Sequence, residues 1–126
     1  MSYLWVALGS ALGGMGRFAC SGIGVRLLGE SFPYGTLFVN VAGSLLIGVL
    51  AVVIPADSRV LANEARDFLM IGICGGFTTF SSFSLQTLNL ARNGEWSAAV
   101  SYTAGSFALC LAAVCLGYFG ASALTR

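Results

Sequence analysis

Gly75-Gly76-Phe77-Thr78-Thr79-Phe80-Ser81-Ser82-Phe83-Ser84 stands at the centre of an apolar run that reads from about Phe68 to Leu90. A run of this length is a membrane-spanning helix by arithmetic, because roughly 20 apolar residues at 1.5 Å each cross about 30 Å of hydrocarbon. Its centre is not that of a plain hydrophobic rod. Two glycines followed by two threonines weaken a helix, and a backbone carbonyl left alone in hydrocarbon is costly. A break at this depth survives only where protein or an ion satisfies the freed groups. Such carbonyls are hard oxygen ligands suited to a small cation. Phe80 and Phe83, three residues apart, share one helix face, and aromatic rings have electropositive edges that can meet an anion. The same spacing also suits an ordinary pair of core or lipid-facing rings.

The flanks repeat the membrane pattern. The chain has 126 residues, 57% hydrophobic and 9% charged, with a mean hydropathy of +0.88. Soluble domains carry about 25% charged residues. Four spans fit, at about residues 3–28, 35–54, 68–90 and 96–124, within a single membrane domain over 1–126. The second opens after Pro33 and closes at Pro55, where helices tolerate proline. The stretch Ala56 to Asp67 holds five of the eleven charged side chains and belongs in water. Arg92-Asn93-Gly94-Glu95 reads as a compact turn. A cleavable signal peptide is a poor alternative for the first segment, which has no Lys or Arg ahead of its apolar stretch. Gly9, Gly13, Gly16, Gly43 and Gly48 suit close helix packing.

Charge is nearly balanced across the four spans. Arg59, Arg66 and Arg126 fall on the side of the termini, against Arg26 and Arg92, with Arg17 a possible third. An excess of Lys and Arg on one side sets topology; here neither side has a clear one. The chain is expected to insert both ways, which permits an antiparallel homodimer.

Several chemistries are excluded. No Asp or Glu lies inside a span, which argues against a proton-coupled carrier and removes paired-carboxylate catalysis. With neither His nor Lys, no base is available to activate a serine, so the chain is not expected to be an enzyme. Cys20, Cys74, Cys110 and Cys115 sit in apolar stretches without metal-ligand spacing. The absence of any basic run argues against a nucleic-acid partner. What remains inside the spans is neutral and rich in donors: Thr36, Asn40, Thr78, Thr79, Ser81, Ser82, Ser84, Ser101, Tyr102, Thr103 and Ser106, with Arg17 as the lone charge. Each has an ordinary role available to it, as Ser and Thr bond back to their own helix and Asn joins helices. Arg17 can snorkel to the interface.

At these residues the chain resembles the Fluc (CrcB-like) family of fluoride channels over nearly its whole length. The parts that match are Gly13-Gly14-Met15-Gly16-Arg17, Tyr34-Gly35-Thr36-Leu37-Phe38-Val39-Asn40, and the opening stretch, which fits the family's GGxTTFSxFS pattern. The resemblance implies an all-α membrane protein with its third helix broken at the centre, assembled as an antiparallel dual-topology homodimer with two fluoride pathways. It implies a structural Na+ at the dimer centre, held by the carbonyls of Gly75 and Thr78 from each copy. Phe80 and Phe83 match the family's fluoride-contacting phenylalanines, and Asn40 its pore asparagine. Thr36, Ser81, Ser84, Tyr102 and Ser106 fall along the same track, while Arg17 serves the entrance and the dimer architecture. The implied role is passive fluoride export across the inner membrane of a prokaryote. Two departures stand out: Gln86 where the family often has Glu, and Leu109-Cys110 where it often has Gly-Ser. A small secondary transporter and a non-conducting accessory subunit are the competing readings.

Overall fold

The computed structural model describes residues 1–54 and 60–126, and of Val60 and Leu61 the backbone alone. Pro55 and the Ala56–Arg59 part of the polar stretch lie outside the described residues. In apolar surroundings a backbone must satisfy its own polar groups, and the helix does this within one segment. The elements are α1 (Ser2–Leu28), α2 (Tyr34–Val53), α3 (Val60–Ala65), a π-helical segment (Arg66–Cys74), α4 (Gly75–Phe77), α5 (Phe80–Arg92) and α6 (Trp96–Leu124). No strand occurs among the described residues.

Among the described residues, three helical stretches are long and apolar enough to cross a membrane: Tyr34–Val53, Ala62–Arg92 and Trp96–Leu124. The sequence reading expected four. α1 has the length, at 27 residues, but Arg17, Arg26 and its glycines and serines dilute its apolar character. The third stretch also begins earlier than Phe68, since helical backbone runs back through the π-helical segment to Val60.

The α1–α2 and α5–α6 connections are short and built on glycine where the backbone demands it. Gly29 ends α1 with φ 81°, and Gly94 ends the α5–α6 turn with φ 79°, a region that side chains other than glycine's rarely enter. The Glu95 amide reaches back to the Leu90 carbonyl at 2.8 Å, satisfying the end of α5.

Packing follows the small residues. α2 lies along α6, where a Cβ on Gly48 would collide with the Val114 carbonyl and one on Gly117 with the Leu45 carbonyl. α1 lies along the π-helical segment, where a Cβ on Gly9 would come within 2.8 Å of the Gly72 Cα. Lipid tails give helices no hydrophobic reason to associate, so such close backbone approach supplies the van der Waals contact that does. The interior is correspondingly thin. One cluster of Phe83, Leu90, Ala99 and Tyr102, with Phe32 and Leu37 packed on it, joins α5 to α6 and the α1–α2 turn. Most large apolar side chains face outward, among them Phe18, Phe38, Phe80 and Leu116.

Candidate functional site

The site is organised by the junction of α4 and α5. Thr78 (φ −85°, ψ 160°) and Thr79 (φ −153°, ψ 120°) are extended, between helical backbone on either side. The Thr78 amide and its hydroxyl both donate to the Cys74 carbonyl, at 3.0 and 2.9 Å, closing the helix that ends there. Thr79 opens the next one: its Oγ1 accepts from the Ser82 amide at 3.2 Å, an N-cap that satisfies one of the orphan donors of α5. Two side chains from other helices take up the groups freed between. Asn40 of α2 accepts the Thr79 amide on Oδ1 at 2.7 Å and donates Nδ2 to the Thr79 carbonyl at 3.0 Å. Arg17 of α1 donates Nε to the Gly76 carbonyl at 3.1 Å.

This arrangement redirects one amide. In an unbroken helix the Thr79 amide would reach back to Gly75; it is held by Asn40 instead. The Gly75 residue is exposed, and it lines an open concavity together with Thr78. Neutral carbonyl oxygens suit hard cations better than soft transition metals. No group of three or more His, Cys, Asp or Glu gathers anywhere among the described residues, so carbonyls are the metal-ligating groups that the junction offers.

The concavity holds about 620 Å³. Asn40, Gly75, Thr78, Phe80, Phe83 and Ser106 all contribute to its wall, so six residues singled out in the sequence meet in one place. The Phe80 and Phe83 rings lie 5.5 Å apart at 52°. Phe83 is buried at 7% exposure, whereas Phe80 is 70% exposed and presents its ring to the open side. Ser106 is buried with its hydroxyl unpartnered among the described residues. The Asn40 amide, with two N–H groups and one of them bound to Thr79, keeps one donor over.

A second concavity of about 370 Å³ lies between the α1–α2 turn and the C-terminal half of α5, lined by Phe32, Tyr34, Thr36 and Gln86 among others. Tyr102 lines neither concavity. It is buried between them at 1% exposure and donates its hydroxyl to Gln86 Oε1 at 2.8 Å. Ser81 and Ser84 stand apart from both. They are exposed, with Ser84 Oγ returned to the Phe80 carbonyl at 2.9 Å and Ser81 Oγ 3.4 Å from Thr79 Oγ1.

Sequence reasoning overlooked two pairings. Gln86 was noted only as a departure, yet it holds the Tyr102 hydroxyl; nothing in the spacing of 86 and 102 announces this. The capping role of Thr79 was readable in principle, because a Thr directly before a helix start with a free amide three residues on is an N-cap signal.

Residues 4–118 match the family described as CrcB-like protein, Camphor Resistance (CrcB). A protein of Opitutus terrae named fluoride-specific ion channel FluC is 54% identical over 123 residues, covering 97% of this chain and 93% of its own length. Proteins of the same name from Paramagnetospirillum magneticum and Methylocella silvestris are each 51% identical over 127 residues, covering all of this chain and 99% and 97% of their own lengths respectively.

Proposed function

This chain belongs to the CrcB-like family, and on that premise we propose that it is a fluoride-specific ion channel of the membrane, passing the anion out of the cytoplasm down its own gradient. The relatives' name supplies the ion. What supports it in this chain is one observation: a leftover Asn40 N–H, an unpartnered Ser106 hydroxyl and the Phe80–Phe83 pair converge on one concavity.

Fluoride is small and strongly hydrated, so a pathway must replace its water with compact donors. Asn40 and Ser106 offer such donors, and the ring edges of Phe80 and Phe83 add a weak positive field. Tyr102 and Thr36 carry the track toward the second concavity, and Ser81 and Ser84 reach it only from a neighbouring copy, since they face away from both concavities here. No fixed charge lines the first concavity. Conduction needs release as well as entry, and neutral donors meet both demands. Arg17 supports the architecture by holding the Gly76 carbonyl.

The whole protein is proposed as a single membrane domain of four spans, α1 being the fourth, in the inner membrane of a prokaryote. The first concavity is open and Phe80 is exposed on it, so one copy supplies half a wall. A second copy in the opposite orientation would close it, giving an antiparallel homodimer with two pathways. The Gly75 and Thr78 carbonyls of both copies would hold a structural Na+, which supplies positive charge to the acceptors that the junction frees.

The decisive measurement is efflux from vesicles containing the purified protein, with fluoride and chloride compared. Fluoride efflux at least about a hundredfold faster than chloride efflux is expected, corresponding to about 2.7 kcal/mol of discrimination. Equal rates, or no flux, would remove the channel reading. Uptake that requires a proton gradient would favour a transporter.

A further inference from the structure

We propose that Phe32, in the turn between α1 and α2, is a positioning residue of the anion pathway: it holds the Tyr102 ring as a partition between the two concavities and so sets which anion can pass. The proposal rests on the channel reading and adds a residue outside the motifs that led to it.

Tyr102 is held from several directions. Its hydroxyl is bound to Gln86 Oε1 at 2.8 Å. On one side the Phe83 ring lies 5.0 Å away at 56°, and Phe83 lines the first concavity. On another side the Phe32 ring meets it edge-on, at 5.3 Å and 76°, and Phe32 lines the second concavity. Phe80, Phe83, Tyr102, Phe32 and Tyr34 thus form one unbroken run of ring contacts leading from one concavity to the other. Tyr102 is its midpoint, and the only one of the five that touches neither space.

Phe32 is the support on the outer side. Its place is set by the turn itself. Gly29 takes φ 81° to end α1, the Phe32 carbonyl accepts the Tyr34 amide at 2.9 Å, and Pro33 leads into α2 with a restricted φ. The ring is packed against the Phe83–Tyr102 cluster rather than left on the surface. Removing it would leave Tyr102 facing about 370 Å³ of open space. A ring freed on one side can tilt into that space, and a looser partition discriminates less against an anion larger than fluoride. Tyr102 and Gln86 fix the hydroxyl; Phe32 fixes the plane of the ring.

The test compares chloride and fluoride efflux from vesicles holding the parent protein, Phe32→Ala, Phe32→Leu and Phe32→Tyr, with Phe32→Ala repeated in a Tyr102→Leu background. Loss of one edge-to-face ring pair should raise the chloride-to-fluoride ratio about three- to tenfold in Phe32→Ala. Phe32→Tyr, which keeps a ring, should return the parent ratio. In the Tyr102→Leu background the Phe32→Ala change should add nothing, which separates positioning through Tyr102 from general loosening. An unchanged ratio in Phe32→Ala, or in Phe32→Leu should the alanine variant not assemble, overturns the proposal. A rise of equal size without Tyr102 also overturns it. Parent vesicles that pass no fluoride overturn the channel reading, and this proposal with it; parent fluoride flux beside an unchanged ratio overturns this proposal alone.

Discussion

At the scale of the residue, Asn40 does two things with one amide. It satisfies the backbone of Thr79 on both its donor and its acceptor, and it keeps one N–H over on a residue that lines the concavity. Asn40→Asp should therefore fail twice. The carboxylate has no N–H for the Thr79 carbonyl, and it puts a negative charge where an anion must pass. We expect fluoride efflux to fall below detection, with about 1–3 kcal/mol lost from stability for the unsatisfied group, read as a lower unfolding temperature of the purified protein. Normal flux in this variant would remove Asn40 from the pathway. The phenylalanines predict differently. Phe83 is buried and Phe80 exposed, so Phe83→Ile should cost both flux and stability, whereas Phe80→Ile should cost flux while leaving the unfolding temperature of the single fold nearly unchanged. Equal stability losses in the two would contradict the burial on which this rests. The type of each of these residues was legible in the chain, because an Asn or a run of hydroxyls in hydrocarbon needs a reason. Their partners were not: Asn40 and Thr79 are 39 positions apart, Arg17 and Gly76 are 59 apart, and no periodicity connects them.

At the scale of the element, the junction between α4 and α5 is two residues wide and capped. Thr79→Ala should lower stability by about 1 kcal/mol through loss of the N-cap, and Thr79→Ser should restore most of it. Thermal unfolding of the two variants checks this; identical values would show that the cap contributes nothing. Hydropathy made α2 and α6 legible to within a residue or so of their ends, since a backbone in apolar surroundings has few alternatives to a helix. The ends of α1 were equally legible, but its apolar character is diluted where small residues such as Gly9 serve packing against the π-helical segment. The π-helical stretch Arg66–Cys74 itself had no visible signal. A shift from one helical hydrogen-bond register to another depends on what lies alongside, here the close backbone of α1 at Gly9. The two glycines at 75 and 76 drew attention to the right neighbourhood, yet both keep helical backbone. The extended residues are the threonines that follow, because those are the ones with side-chain oxygens able to close one helix and open the next.

At the scale of the whole molecule, near balance of arginines between the two ends leaves orientation undetermined by charge. Reporter fusions at the C-terminus should therefore mark both sides of the membrane in comparable amounts, and adding two or three Lys to one end should drive the population to a single orientation and abolish flux. Fusions that report one side only would count against two oppositely inserted copies. Within one copy the closest packing is of α2 on α6 and of α1 on the π-helical segment, with α1 also against α2 and α4, and α5 against α6. The Asn40–Thr79 contact ties α2 to the junction between α4 and α5. Its pattern, an amide giving and receiving on one extended residue, is that of a single rung of β-ladder, with a side chain standing in for the second strand. A rung has a register. A helix interrupted only by weak residues could let its gap migrate by a turn in either direction, and every side chain beyond would rotate with it. Anchored by this rung, the gap is pinned to Thr79, and the start of α5 at Phe80 takes its setting from an asparagine on another helix. Slow deuterium uptake at the Thr79 amide, in an extended segment that would otherwise exchange freely, would be its signature.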